Sequence, residues 1–193
     1  MQTWAIIAQK GGQSKTTLAT GFAVEAAREG AAVVILDADD RQGSALYWSE
    51  RRALDDVTVK DSSVAGLPLH VTRGRASGKL DLIIIDTPAN SKDIAMLAAE
   101  QVQQAGTPFA VILTQVPHQG GEGEEARAGF AAKGIGLFDS RLHFRKDYYR
   151  ATPIGQTAAE LEPDGKAAAE LRAAYEEAKR LSGYTTKPIS EVA

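Results

Sequence analysis

Two lysines, Lys10 and Lys15, bracket a pair of glycines, and Lys15 is followed at once by two hydroxyl side chains in the run Lys10-Gly11-Gly12-Gln13-Ser14-Lys15-Thr16-Thr17. Glycine has no Cβ, so backbone N–H groups at Gly11 and Gly12 can approach and converge on an anion. Ammonium groups supply full charge for a polyphosphate, and the Thr16 hydroxyl is of the type that ligates Mg²⁺. Carboxylates occur at two further places, Asp37-Ala38-Asp39-Asp40 and Asp86, each directly after an apolar run. Such a pairing of cationic loop and strand-end carboxylate suits a phosphate ester held with a divalent cation.

These residues need elements to place them. Ala5 to Ala8 form a short apolar run suited to a buried strand, and an alanine-rich helical pattern runs from about Thr16 to Glu29, stopping at Gly30. Strand, loop and helix in that order put the helix N-terminus, with its partial positive charge, at the phosphate loop. The continuous apolar runs Ala32–Leu36 and Leu80–Ile85 predict strands covered on both faces, as in a parallel sheet. Asp37 and Asp86 then lie at strand carboxyl ends, beside the crevice where ligands bind in such sheets. Gly43 to Arg52 reads as a short helix with Trp48 as a core or dimer-facing anchor. Ser91 to Gln104 reads as a crossover helix, Phe109 to Thr114 as a strand, Glu122 to Lys133 as a helix, and Asp164 to Leu181 as a packing helix. His118 has no partner at metal-ligand spacing and reads as a solvated loop residue.

The chain has 193 residues, 44% of them hydrophobic, enough for a substantial core. A net charge of -3 argues against a generally nucleic-acid-coating surface, so any DNA contact must be local. The absence of cysteine excludes disulfides, iron–sulfur clusters and thiolate metal sites and fits a reducing, cytoplasmic setting. No apolar run approaches the roughly 18 residues of a membrane span.

The form Lys-Gly-Gly-x-x-Lys-Thr-Thr resembles the deviant Walker A box of the ParA/MinD family of ATPases. The resemblance places Lys10 as the signature lysine, which in that family reaches a partner subunit's phosphates, and Lys15 as the ordinary phosphate lysine. Gly11, Gly12, Gln13, Ser14, Thr16 and Thr17 complete the nucleotide loop, with Ser14 standing where the family has glycine. Asp37-Ala38-Asp39-Asp40-Arg41-Gln42 is similar to the family's Asp-x-Asp-Pro-Gln segment, which implies that Asp39 orients the attacking water and Asp37 sits near the Mg²⁺ shell. Asp86-Thr87-Pro88 resembles the Walker B end, with Asp86 and Thr16 on the metal and Thr87 to Asn90 as a second switch. The Arg-x-x-Tyr stretch within Arg141 to Arg150 is similar to one in partition ATPases; Arg141, Arg145, Lys146 and Arg150 would grip DNA phosphates without reading bases.

The resemblance implies an α/β fold of three layers, a mostly parallel sheet with helices on both faces (the P-loop NTPase fold), over residues 1–182, with 183–193 as a polar tail. Two places look short. Thr72 to Lys79 is too brief to link a strand at Leu69-His70-Val71 to the one from Leu80, and Gln104 runs almost directly into Phe109. One βα unit is therefore expected to be missing, which would bring the Phe109–Thr114 strand beside the first strand. The implied activity is slow, partner-stimulated hydrolysis of ATP with Mg²⁺ by a short ParA-type protein of plasmid or chromosome partition, or of cargo positioning. It would form a homodimer on ATP binding, bind nonspecific DNA and thus the nucleoid, and work with a ParB-like or other adaptor, without a membrane. Three alternatives stand beside it: a MinD-like membrane positioning ATPase, a ligase of the dethiobiotin synthetase type, and a hydrolysis-deficient nucleotide-binding module.

Overall fold

The computed structural model describes residues 1–8, 12, 14–39, 41–88, 108, 110–132 and 134–186. Its first half is built from β1 (Gln2–Ile6), α1 (Lys15–Arg28), β2 (Val33–Asp37), α2 (Ser44–Ser49), β3 (Thr58–Asp61), α3 (Leu67–Ser77) and β4 (Leu82–Asp86). The second half contains β5 (Val111–Val116), α4 (Glu122–Ala131), β6 (Leu137–His143), α5 (Lys146–Ala151), α6 (Ala158–Leu161) and α7 (Lys166–Ser182).

Four strands form one parallel sheet in the order β1-β4-β2-β3, and β5 pairs with β6 in a second, two-stranded parallel sheet. The apolar runs of β2 and β4 are explained by burial from both sides. Val33, Ile35, Leu82 and Ile84 face the core formed with α1 and α7, whereas Val34, Leu36 and Ile83 face Leu67 and Val71 of α3. Each of the larger side chains contributes roughly 1.5–3 kcal/mol by leaving water. At Gly21 a Cβ would stand 2.6 Å from the end of the Leu171 side chain, so α1 and α7 meet closely and a methyl there would displace Leu171.

The sheet corrects three expectations. Leu69-His70-Val71 is no strand; it lies inside α3, which with residues 62–81 makes an ordinary crossover from β3 to β4, so the first apparent shortage disappears. Among the described residues the β5 strand pairs with β6 and is not hydrogen-bonded to β1, which stands at one end of the four-strand order. β1 itself is Gln2–Ile6 and half-buried, in place of a buried run at Ala5–Ala8. The expected helix at 91–104 and the second short place lie outside the described residues. Trp48 is fully buried, and its indole N–H donates to the Gln156 carbonyl at 3.0 Å.

α2 is fastened to the C-terminal part of the chain by Arg52. Its guanidinium pairs with Asp56 at 2.6 Å and Glu160 at 2.8 Å and donates to the Gly155 carbonyl at 3.1 Å. Burial alone would lower the Arg52 pKa, but the two carboxylates outweigh it and raise it; burial alone would raise the Glu160 carboxyl, and Arg52 with the Thr157 N–H holds it below its usual value. The Glu160 carboxylate also accepts from the Thr157 backbone and hydroxyl, closing a capping box at the start of α6.

Candidate nucleotide site

α1 begins without a side-chain cap and with no acidic residue in its first turn. Its orphan N–H groups and dipole are therefore left for an anion. Two residues before it bend the chain the left-handed way: Gly12 at φ 73° and Ser14 at φ 58°. Glycine adopts this without cost, whereas a serine there is strained by about 1 kcal/mol or more. Ser14 has thus kept the backbone shape that the resemblance assigns to glycine. Lys10, Gly11 and Gln13 lie outside the described residues.

A cleft of about 350 Å³ opens at this point, at the carboxyl ends of β2, β4 and β5. Gly12, Ser14, Lys15, Thr16 and Thr17 line one side, and Asp39, Asp86 and Thr87 line the floor and an adjacent wall. The Thr16 hydroxyl donates to Asp86 Oδ2 at 2.6 Å, joining the head of α1 to the end of β4. Thr87 Oγ1 donates to the Ile6 carbonyl at 2.7 Å, which ties β4 to β1. Ala89, Asn90 and Asp40 lie outside the described residues.

Asp86 is 2% exposed, and its Oδ1 is buried with no hydrogen-bond partner among the described residues. Burial, with Asp37 and Asp39 nearby, pushes this carboxyl up to about 6, against the opposing effects of the Thr16 hydroxyl and the Lys15 ammonium. A buried carboxylate oxygen without a partner, beside a threonine hydroxyl, matches the donor set of a Mg²⁺ site. Thr16 and Asp86 are the residues that fit the metal.

The same observation predicts a gain of stability on removing the charge. A carboxyl whose folded pKa is raised binds its proton more tightly in the folded state, so its ionised form costs the fold. That cost is absent below about pH 4 and complete above about pH 6. Asp86→Asn will stabilise the metal-free protein by about 1–2 kcal/mol at neutral pH, less than the full shift because the amide N–H is left unpaired. Urea denaturation at pH 4, 5, 6 and 7.5 will show the gain growing through this window.

Asp37 lies beside Asp86, across the pairing of β2 with β4. It is 1% exposed, its Oδ2 accepts from the Ala45 and Leu46 N–H groups at 2.9 and 3.1 Å, and its Oδ1 accepts from Asp39 N at 3.1 Å. The carboxylate accepts from the head of α2 and orients the loop carrying Asp39, at the register position beside Asp86. Asp39 closes that loop on itself: its Oδ1 accepts from Arg41 and Gln42 N–H groups and its carbonyl from Gly43.

The far wall of the cleft was invisible in the sequence. Gln115, His143, Tyr148, Tyr149, Thr152 and Pro153 line it, contributed by β5, β6, α5 and the turn after α5. His143 Nδ1 lies 2.7 Å from Glu170, and its ring stacks on His118 at 4.9 Å between centroids. Among the described residues no group of three His, Asp or Glu could hold a metal.

The four basic residues expected to meet DNA divide into two pairs. Arg141 is bound to Glu124 at 2.9 Å, and Arg145 reaches Glu170 through Nη2 at 2.5 Å and Nε at 2.9 Å. Burial would raise the Glu170 carboxyl, but Arg145 and the His143 N–H hold it below its usual value. Lys146 and Arg150 are exposed. Arg145 is thus held by a partly buried carboxylate, whereas Arg141 makes a surface ion pair with the exposed Glu124.

Residues 4–184 match the model of the CobQ/CobB/MinD/ParA nucleotide-binding domain. The chain belongs to this family. Solved structures carry the same fold at low identity. MinD from Pyrococcus horikoshii OT3, complexed with Mg-ADP, is 18% identical with a TM-score of 0.75, over 96% of this chain and 99% of that one. The McdA(D38A)–ATP complex from Cyanothece is 18% identical with a TM-score of 0.64, over 97% and 98%. Cobyrinic acid a,c-diamide synthase from Mycobacterium smegmatis, with ADP and magnesium, is 15% identical with a TM-score of 0.65, over 98% and 99%. No curated protein sequence matches the chain. Among the described residues no helix is long and apolar enough to cross a membrane.

Proposed function

We propose that this family member is a Mg²⁺-dependent ATPase of the ParA type, which dimerises on ATP, holds nonspecific DNA, and positions a cargo through a ParB-like or other adaptor. The observation that carries the nucleotide chemistry is the Thr16–Asp86 contact with its unpaired carboxylate oxygen, set at the uncapped head of α1. Lys15, 8% exposed, and the first N–H groups of α1 bind the phosphates, while Thr16 and Asp86 hold the metal. Held there, Mg²⁺ would supply positive charge to the phosphate oxygens. Asp39, positioned by Asp37 and lining the cleft, orients the attacking water. Lys10 serves as the signature lysine toward a second subunit.

Relatives with Mg-ADP, ATP, or ADP with magnesium support the choice of ligands. The MinD-like reading shares this site; exposed Lys146 and Arg150 beside exposed Phe144 and Tyr149 favour a nucleic-acid surface over it. The test is a comparison of Lys10→Ala and Asp39→Ala with the wild type in ATP binding, ATP turnover with DNA, and size-exclusion chromatography with ATP and Mg²⁺. Both variants will bind ATP yet lose at least roughly tenfold in turnover, and Asp39→Ala will accumulate as the dimer. Normal hydrolysis by Lys10→Ala removes the trans-acting lysine. Pelleting with anionic liposomes in place of DNA binding selects the MinD-like function, and binding without turnover by the wild type selects the hydrolysis-deficient module.

A further inference from the structure

Gln115 stands in β5, 100 residues beyond Lys15, yet its side-chain amide donates to the backbone carbonyl of Gly12 in the phosphate loop. It does so from an unusual backbone. Its φ of 55° makes it one of two non-glycine residues with left-handed backbone among those described, the other being Ser14 in the same loop region. The strand is deformed at this point. Between the pairs Leu113↔Arg141 and Val116↔His143, β5 advances three residues while β6 advances two, so β5 carries one extra residue there. A bulge of this kind re-aims a side chain, and strain of this kind persists only where the surroundings hold it.

We propose that Gln115 is a positioning residue for the nucleotide: the bulge in β5 exists to deliver its amide to Gly12, and this contact sets the orientation of the phosphate loop. The inference rests on the reading of the cleft as a nucleotide site. The peptide unit is planar, so holding one carbonyl fixes the whole unit, and the N–H of a trans peptide points opposite to its C=O. Gly12, at φ 73°, has no side chain, and among the described residues nothing lies within 4 Å of where a Cβ would stand. The tie from Gln115 supplies what packing does not. Gln115 also lines the cleft alongside Lys15, Thr16 and Asp86, so a ligand on the loop is within reach of the same strand. Beyond it, the loop after β5 carries His118, stacked on His143 of the far wall. The end of β5 therefore touches both walls of the cleft.

Two variants separate the amide from the backbone. Gln115→Gly relieves the left-handed strain and deletes the amide; Gln115→Glu keeps the shape and removes the donor. Deuterium exchange of the peptide spanning Gly12 and Thr17 is measured on the ligand-free protein, with thermal melting and titration with a fluorescent ATP analogue in the presence of Mg²⁺. Both variants are expected to exchange faster in that peptide and to bind the analogue roughly tenfold more weakly, while Gln115→Gly melts no lower than the wild type. Exchange and affinity within twofold of wild type in both variants overturns the proposal. So does a loss in Gln115→Gly that Gln115→Glu does not share, because the donor is then not the cause. If the wild type fails to bind the analogue, that result counts against the nucleotide reading, and the exchange measurement alone decides the role of Gln115.

Discussion

Lys15→Ala will reduce nucleotide binding by at least roughly a hundredfold, the equivalent of about 3 kcal/mol, as expected for a charge-assisted contact to phosphate. The reason extends beyond one lost contact. Asp86 feels Lys15 as an attractive charge and Asp37 and Asp39 as repulsive ones, so the ammonium is the group that offsets three carboxylates at the ends of β2 and β4. Without it, a triphosphate enters a cleft whose described charges are all of its own sign. Lys15→Met, which keeps most of the stem, will lose binding to the same extent, because it is the charge that matters. Isothermal titration with Mg-ATP measures both variants. Affinity within threefold of wild type in either one removes Lys15 from the phosphate site.

The second large effect lies away from the chemistry. Gly155 sits at φ 70° directly against the end of α2, and a Cβ there would stand 2.3 Å from the Arg51 carbonyl carbon and 2.4 Å from both the Arg51 oxygen and the Arg52 nitrogen. All three are backbone atoms, so no side chain can swing away. Gly155→Ala must therefore separate the two segments, stretching the Arg52–Gly155 and Trp48–Gln156 hydrogen bonds and the ion pair of Arg52 with Glu160. The expected loss is about 3–5 kcal/mol, a large part of the 5–15 kcal/mol of an ordinary domain. Thr152 and Pro153, which line the cleft, precede Gly155 closely, so affinity for Mg-ATP falls as well. Urea denaturation reads the stability directly; a change under 1 kcal/mol would mean that the two segments are not packed as described.

Much of the phosphate-binding half was legible because its signals are local. Lys15, Thr16 and Asp86 sit in or beside motifs whose flanking strands are continuous apolar runs, and β2 and β4 read that way because α1 and α3 cover both of their faces. β3 was missed for the opposite reason. Thr58-Val59-Lys60-Asp61 is a short edge strand, largely exposed and without an apolar run, so neither periodicity nor hydropathy marks it. Missing it turned α3 into a strand, since Val71 and Thr72 favour extended structure and Pro68 obscures the helix start, where proline is in fact acceptable. The hold of Asp37 on α2 could not be read from the sequence, because the two N–H groups it accepts from lie eight and nine residues further on and are brought back only by the fold. The far wall of the cleft was illegible because it is long-range: nothing near Gln115 in the chain points to Gly12, and nothing near His143 points to Glu170.

Glu170 and Glu124 have a consequence for any polyanion that meets this surface. The small cations released on binding come from the phosphates, and a protein cation that keeps its pairing with a carboxylate neutralises a phosphate less and releases fewer of them. Arg141 and Arg145 are so paired, whereas among the described residues Lys146 and Arg150 make no ion pair. DNA held through this segment would accordingly show a log–log dependence of affinity on salt with a slope of about -2 for each protomer, where four open cations would give about -4.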